Sequence, residues 1–165
     1  MLRRSLKAVQ GQDRVIAATI ADLDANGIER SGQRQRWVID AVVTACGLSP
    51  LVEAAQLAGC PLANIPDLGG WVPLHDSRQE SPLPGLFVAG SITGVEGADV
   101  AETQGRIAGI NAARYLGLVN SQRAETDFTR WLGRLERIRA ATPGFLPDIA
   151  SGRAEMAKQW RAYIR

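Results

Sequence analysis

Apolar residues fall at short, strand-like spacing in the first third of the chain and at helical spacing in the last. "DRVIAATIADLDANGIER", residues 13–30, places Val15, Ile16 and Ile20 ahead of Asp24-Ala25-Asn26-Gly27. β-Branched residues before an Asn-Gly pair predict a strand, a tight turn and a returning strand. In "RQRWVIDAVVTACG", residues 37–44 are nearly all apolar apart from Asp40. Such a run predicts a central strand buried on both faces and ending in a turn at Gly47. "SPLVEAAQLAGC" then predicts a short helix opened by Ser49 or Pro50, carried by Leu51, Val52, Ala55 and Leu57, and ended by Gly59.

Residues 61–85 hold prolines at 61, 66, 73, 82 and 84, with Gly69, Gly70 and Gly85. A structured loop or small hairpin around "GGWVPL" fits them, with Trp71, Val72 and Leu74 needing burial. "LFVAGSITGVEGADVAETQGRIAG", residues 86–109, reads as a short strand over 86–89, a glycine-rich elbow and a helix over 98–116. Along that helix Ala101, Gly105, Ala108 or Gly109, and Ala112 form a nearly side-chain-free row suited to close packing. Gly117 is placed to end it. A second helix over 125–140 puts Phe128, Trp131 or Leu132, Leu135 and Ile138 on one face. "TPGF" breaks it, and a last amphipathic helix follows with Met156, Trp160, Tyr163 and Ile164.

Composition trims the possibilities. Nineteen basic and seventeen acidic residues leave a net charge of +2, with no basic stripe, so a nucleic-acid reader is excluded. Cys46 and Cys60 form no C-x-x-C, and His75 is the only histidine, which gives no metal-ligand set. Unpaired thiols, no apolar core of a signal peptide in "MLRRSLKAVQ" and no long apolar run place the chain in the cytoplasm without a transmembrane segment.

The elbow carries the candidate chemistry. A helix start offers unpaired N–H groups and the positive end of a dipole, which suit a phosphate or a flavin carbonyl. A tight packing turn of small residues gives the same string. The stretch from Trp37 to Gly117 resembles the C-terminal part of the FAD-binding domain of flavoprotein oxidoreductases with two dinucleotide-binding domains, the pyridine-nucleotide-disulfide-reductase-like superfamily. It is most similar to large subunits of opine, hydrogen-cyanide-forming and proline or hydroxyproline dehydrogenases. "IDAVVTACGLSP" resembles the crossover strand ending in A-x-G-x-x-P, and "PLPGLFVAGSITGVEGADVAETQGRIAGINAARYLG" the second FAD motif.

The resemblance implies an α/β chain holding the C-terminal half of an FAD/NAD(P)-binding, Rossmann-like domain. Residues 1–36 would be an N-terminal β-hairpin left from the inserted nucleotide domain, 37–120 the half-domain, and 121–165 C-terminal helices. It implies FAD as cofactor, with Ala45 and Gly47 near its phosphates. Gly90 and Ser91 would lie at the ribityl chain, and the backbone of Val95, Gly97 and Ala98 at the flavin pyrimidine. Two departures stand out. Ser91 occupies the position of the family's ribityl-binding aspartate, and the G-x-G-x-x-G phosphate turn is absent.

FAD would therefore be shared with a second polypeptide that carries the fingerprint, or the chain would self-associate. One functional expectation is a subunit of an FAD-dependent enzyme that dehydrogenates an amino acid or opine. The alternative is a non-catalytic FAD-domain fragment serving as an interaction or structural module. Asp40 reads as a turn cap or a catalytic acid, and Glu96, Asp99 and Glu102 as dipole-favoured acids or ligand contacts. His75 reads as an ordinary loop residue or a general base. Cys46 is expected to be a buried small hydrophobe, and Gln104 and Arg106 to face solvent or a neighbouring chain.

Overall fold

Asp24 organises the first hairpin: its Oδ1 accepts the Asn26 N–H at 2.8 Å and the Ile28 N–H at 2.9 Å. The turn joins β2 (Ala17–Leu23) to β3 (Glu29–Val38), and β1 (Arg4–Gln10) adds on the other edge of β2. The result is a three-stranded antiparallel sheet of order β1-β2-β3, one strand more than the expected hairpin. "RSLKAVQ" carries too weak an alternation to announce β1. Ala17, Ala18 and Ala21 of the middle strand are its buried residues.

The computed structural model describes residues 3–44, 47–141 and 148–165. These residues divide into two compact units, Met1–Gly47 and Leu48–Arg165. The domain boundary expected near residue 36 falls inside β3. The central strand expected over 37–44 does not form: β3 stops at Val38, and residues 39–44 have no regular structure. Val38 is 82% and Val43 95% exposed. An apolar run becomes a buried strand only where neighbours supply a ladder and cover its faces, and no strand among the described residues pairs with 39–44.

In the second unit a five-residue helix, α1 (Glu53–Leu57), buries only Ala55, while Leu51 and Leu57 point outward. The proline-rich segment folds as a hairpin of β4 (Leu62–Ile65) and β5 (Gly70–Pro73) around a 3-10 turn at Pro66–Leu68. Strand alternation turns Val72 inward and leaves Trp71 half exposed, against the expectation that Trp71 is buried. The strand expected over 86–89 shrinks to one bridge, Phe87 with Glu80. A 3-10 turn at Gly90–Thr93 follows, then α2 (Ala98–Tyr115), α3 (Ser121–Ala141) and α4 (Ile149–Tyr163).

The helix ends have chemical causes. Gly117, at φ 71°, donates to the Arg114 carbonyl while Leu118 donates to that of Ala113, the glycine-ended pattern that stops α2. Asn120 Oδ1 accepts the Arg123 N–H at 2.8 Å and caps α3. The "TPGF" break lies outside the described residues.

Two apolar clusters hold this unit together. Val100, Ile107, Phe128 and Leu135 join α2 to α3, with Ile110, Trp131, Leu132 and Ile138 at their margin. Ala63, Ile65, Leu68, Val72 and Leu74 of the hairpin pack with Ile149 and Met156 of α4, and Trp160 lies against them. The C-terminal helices are thus part of the core. The fold is mixed α/β, with two small antiparallel sheets and C-terminal helices, and no parallel sheet occurs among the described residues.

Candidate functional site

The elbow forms where the sequence puts it. Gly90, at φ 82°, turns the chain into the 3-10 turn, and Thr93 Oγ1 donates to the Gly90 carbonyl at 2.8 Å. A Cβ at Gly90 would sit 3.6 Å from that of Ala101, an ordinary contact, so the positive φ is what calls for glycine. Gly97, in extended conformation, precedes α2, and no side chain caps that helix start.

Gly90, Ser91, Val95, Gly97 and Ala98 line one concavity of about 230 Å³, together with Gly94, Val100 and Ala101. Ser91 is exposed at its edge and Val95 is buried. Gly47 ends the first unit, and Ala45 and Cys46 lie outside the described residues.

Gln104 departs from expectation. It is 2% exposed, and its Oε1 accepts the Gly90 N–H at 2.9 Å, tying the elbow to the second turn of α2. Arg106 does face outward, paired with Glu102 and lying 4.7 Å from the Trp131 ring. Asp40 is exposed.

Glu96 departs further. Its side chain is 6% exposed and receives a two-point hydrogen bond from Arg139 of α3 and a third, at 2.8 Å, from Arg153 of α4. One carboxylate thus serves two guanidinium groups from different helices. Nothing near Glu96 in the sequence signals this, because both arginines lie more than forty positions away.

The cluster forms part of the wall of a second, larger cavity of about 500 Å³. His75 also lines it, buried, with Nδ1 2.8 Å from the Pro73 carbonyl. Burial pushes the His75 pKa below its ordinary value, against the opposing pull of that carbonyl and of Asp76 and Glu96. The ring is therefore neutral near pH 7, with Nδ1–H donating to Pro73 and Nε2 left as an acceptor. Gln79 sits in the same wall at 3% exposure, with φ 64° and no partner for its Oε1. Cys60 is buried, and desolvation raises its pKa, which suits a packing residue. Among the described residues there is no cluster able to hold a metal and no helix long and apolar enough to cross a membrane.

Comparison with known proteins gives similarities of limited extent. The family model for glucose inhibited division protein A matches residues 73–118, from β5 through the elbow to the end of α2. Three similar curated proteins are named as subunits of enzymes. An opine oxidase subunit from Rhizobium meliloti is 33% identical over 54% of this chain and 17% of its own length. Its Agrobacterium tumefaciens counterpart is 29% identical over 76% of this chain and 25% of its own. Hydrogen cyanide synthase subunit HcnB of Pseudomonas protegens is 25% identical over 90% of this chain and 32% of its own. The chain therefore spans between about a sixth and a third of the relatives it matches. No solved structure matches.

Proposed function

We propose that this chain forms part of an FAD-dependent oxidoreductase, within one of its subunits, and contributes the closing side of the flavin site at its elbow. The observation that carries the reading is the gathering of Gly90, Ser91, Val95, Gly97 and Ala98 around one concavity at the uncapped start of α2. The small residues leave room for close approach of a ligand, and the first N–H groups of α2 have no acceptor within the helix. These groups fit the uncharged and electron-rich end of FAD. About 230 Å³ is too little for the whole cofactor, so another segment or a second polypeptide must hold the pyrophosphate.

In this reading Ser91 contacts a ribityl hydroxyl, and the backbone of Val95, Gly97 and Ala98 faces the pyrimidine edge. Bound FAD would supply hydride acceptance. Two of the relatives are named as opine oxidase subunits, which supports an opine as substrate, with an amino acid as the wider class the resemblance suggests. All three are named as subunits, which supports a multi-subunit assembly. A cytoplasmic setting suits the free thiol of Cys60. The alternative is a structural module without catalysis, favoured by the neutral Ser91 where a carboxylate would bind a hydroxyl more strongly.

The test is co-purification from the native source followed by visible absorption spectroscopy. A yellow complex with flavin bands and a second chain is expected, and a colourless complex leaves only the structural module. Within that complex, Ser91→Asp is expected to tighten FAD by about 1 kcal/mol, as one neutral hydrogen bond becomes charge-assisted. Unchanged or weaker affinity in a titration would remove Ser91 from the ribityl position.

A further inference from the structure

The larger cavity is bordered by a stripe of α4 two turns long. Arg153, Met156, Ala157 and Trp160 follow one another at i, i+3, i+4 and i+7, one face of the helix, and all four line the cavity. At a rise of about 1.5 Å per residue, the stripe runs about 10 Å from a cation at one end to an indole at the other. Leu68 of the 3-10 turn adds to the apolar side. The cavity, about 500 Å³, has the size of a small-molecule site.

Its cationic end is incompletely neutralised. Glu96 alone serves both Arg139 and Arg153. Asp76, the other carboxylate of the wall, engages its Oδ1 with the N–H groups of Arg78 and Glu80 at 2.8 and 3.0 Å. Arg161 is exposed, so water meets its charge. Arg153 is different. It donates to Glu96 through Nη1, and its other N–H groups meet no acceptor among the described residues. Its side chain lines the cavity and keeps 27% of its surface accessible, which leaves those donors open to an occupant. A half-buried guanidinium that shares its counterion gains by meeting a further anion, because solvent neutralises it poorly there. Burial and the neighbouring Arg139 both lower the Arg153 pKa, signs of the same shortage of negative charge.

Two guanidinium groups on one carboxylate leave a single positive charge, which a monoanion balances and a dianion would overshoot. A carboxylate matches the planar donors of arginine. Beyond it, Met156, Ala157 and Trp160 offer no charge, and the indole favours a flat apolar body. We propose that this cavity binds an aryl-alkyl monocarboxylate, its carboxylate on Arg153 and its ring over Ala157, against Met156 and Trp160. The site is distinct from the elbow and needs no flavin, so the two readings stand or fall separately.

Calorimetric titration of the full chain without FAD tests it with three probes: 3-phenylpropionate, its uncharged amide and propionate. 3-Phenylpropionate is expected to bind about tenfold more tightly than the amide, which lacks the charge, and than propionate, which lacks the ring. Arg153→Met should bring acid and amide level. Ala157→Phe puts a ring into the cavity from an exposed position on α4. It is expected to weaken 3-phenylpropionate by about tenfold while the thermal melt stays in place. Arg106→Met, outside the cavity, should change nothing. Equal affinity for acid and amide, equal affinity for 3-phenylpropionate and propionate, or no binding at millimolar ligand would overturn the proposal on the unaltered chain. Undiminished binding by a folded Ala157→Phe chain would remove the ligand from this cavity.

Discussion

Glu96 illustrates how much a single side chain can organise. It lies at the junction of the elbow and two helices, and its carboxylate offsets two guanidinium groups that would otherwise repel each other. Removing one member of a buried pair leaves uncompensated charge. Glu96→Gln is expected to lower unfolding free energy by about 3 kcal/mol, read from urea melts. A change below about 1 kcal/mol would mean that the arginines are well solvated.

His75 sets a pH dependence with a definite sign. Its folded-state pKa is below the ordinary 6.5, and Asp76, Arg139 and Glu96 are the charged groups that act on it. On acidification the unfolded chain takes up this proton first, so His75 contributes stability that is complete above about pH 6.5 and is lost as pH falls below that value. His75→Gln should flatten the fall in stability between neutral and mildly acidic pH, measured as urea midpoints across a pH series. An unchanged slope would assign the acid sensitivity to other groups.

At the scale of elements, local signals were legible and partnerships were not. Helix α2 begins at Ala98 as its sequence suggests and ends one residue short of the expectation, because glycine, acid and cap positions act over a single turn. The Asn26-Gly27 turn is likewise local. By contrast, residues 37–44 have the composition of a buried strand and fail to become one, since burial is conferred by neighbours. Gln104 shows the same limit inside the site: a polar residue on a helix says nothing of the Gly90 N–H that it will meet fourteen positions away.

The contact between α4 and the β4–β5 hairpin offers a sharp test of packing. A Cβ at Gly152 would fall 2.8 Å from Leu68 Cγ and 2.9 Å from Asp67 Cβ, closer than carbon atoms tolerate. Although alanine is the better helix former, Gly152→Ala should destabilise by about 1–3 kcal/mol through overpacking. Thermal melting that shows no loss, or a gain from helix propensity, would mean that α4 can lift away at little cost.

For the molecule as a whole, the two units differ in how much core they own. Residues 48–165 enclose two apolar clusters joining the hairpin and three helices. The first unit is a short antiparallel sheet with Leu6, Val9, Ile16, Ile28 and Trp37 all substantially exposed. A segment of fewer than fifty residues with so little buried surface is marginal alone. A piece comprising residues 48–165 is expected to keep a single cooperative thermal transition and its helical circular dichroism. Residues 1–47 alone should show none, and a disordered 48–165 piece would mean that the two units fold only together.

Gln104 and Glu96 each border both concavities, with Gln104 also holding the Gly90 amide. An occupant of either side that draws on these side chains alters the wall seen by the other. Thermodynamic linkage makes any such influence reciprocal: whatever factor one ligand imposes on the affinity of the second, the second imposes on the first. If both recesses are occupied, the glutamine and the carboxylate between them would make the two affinities interdependent, positively or negatively, with no need for a moving domain.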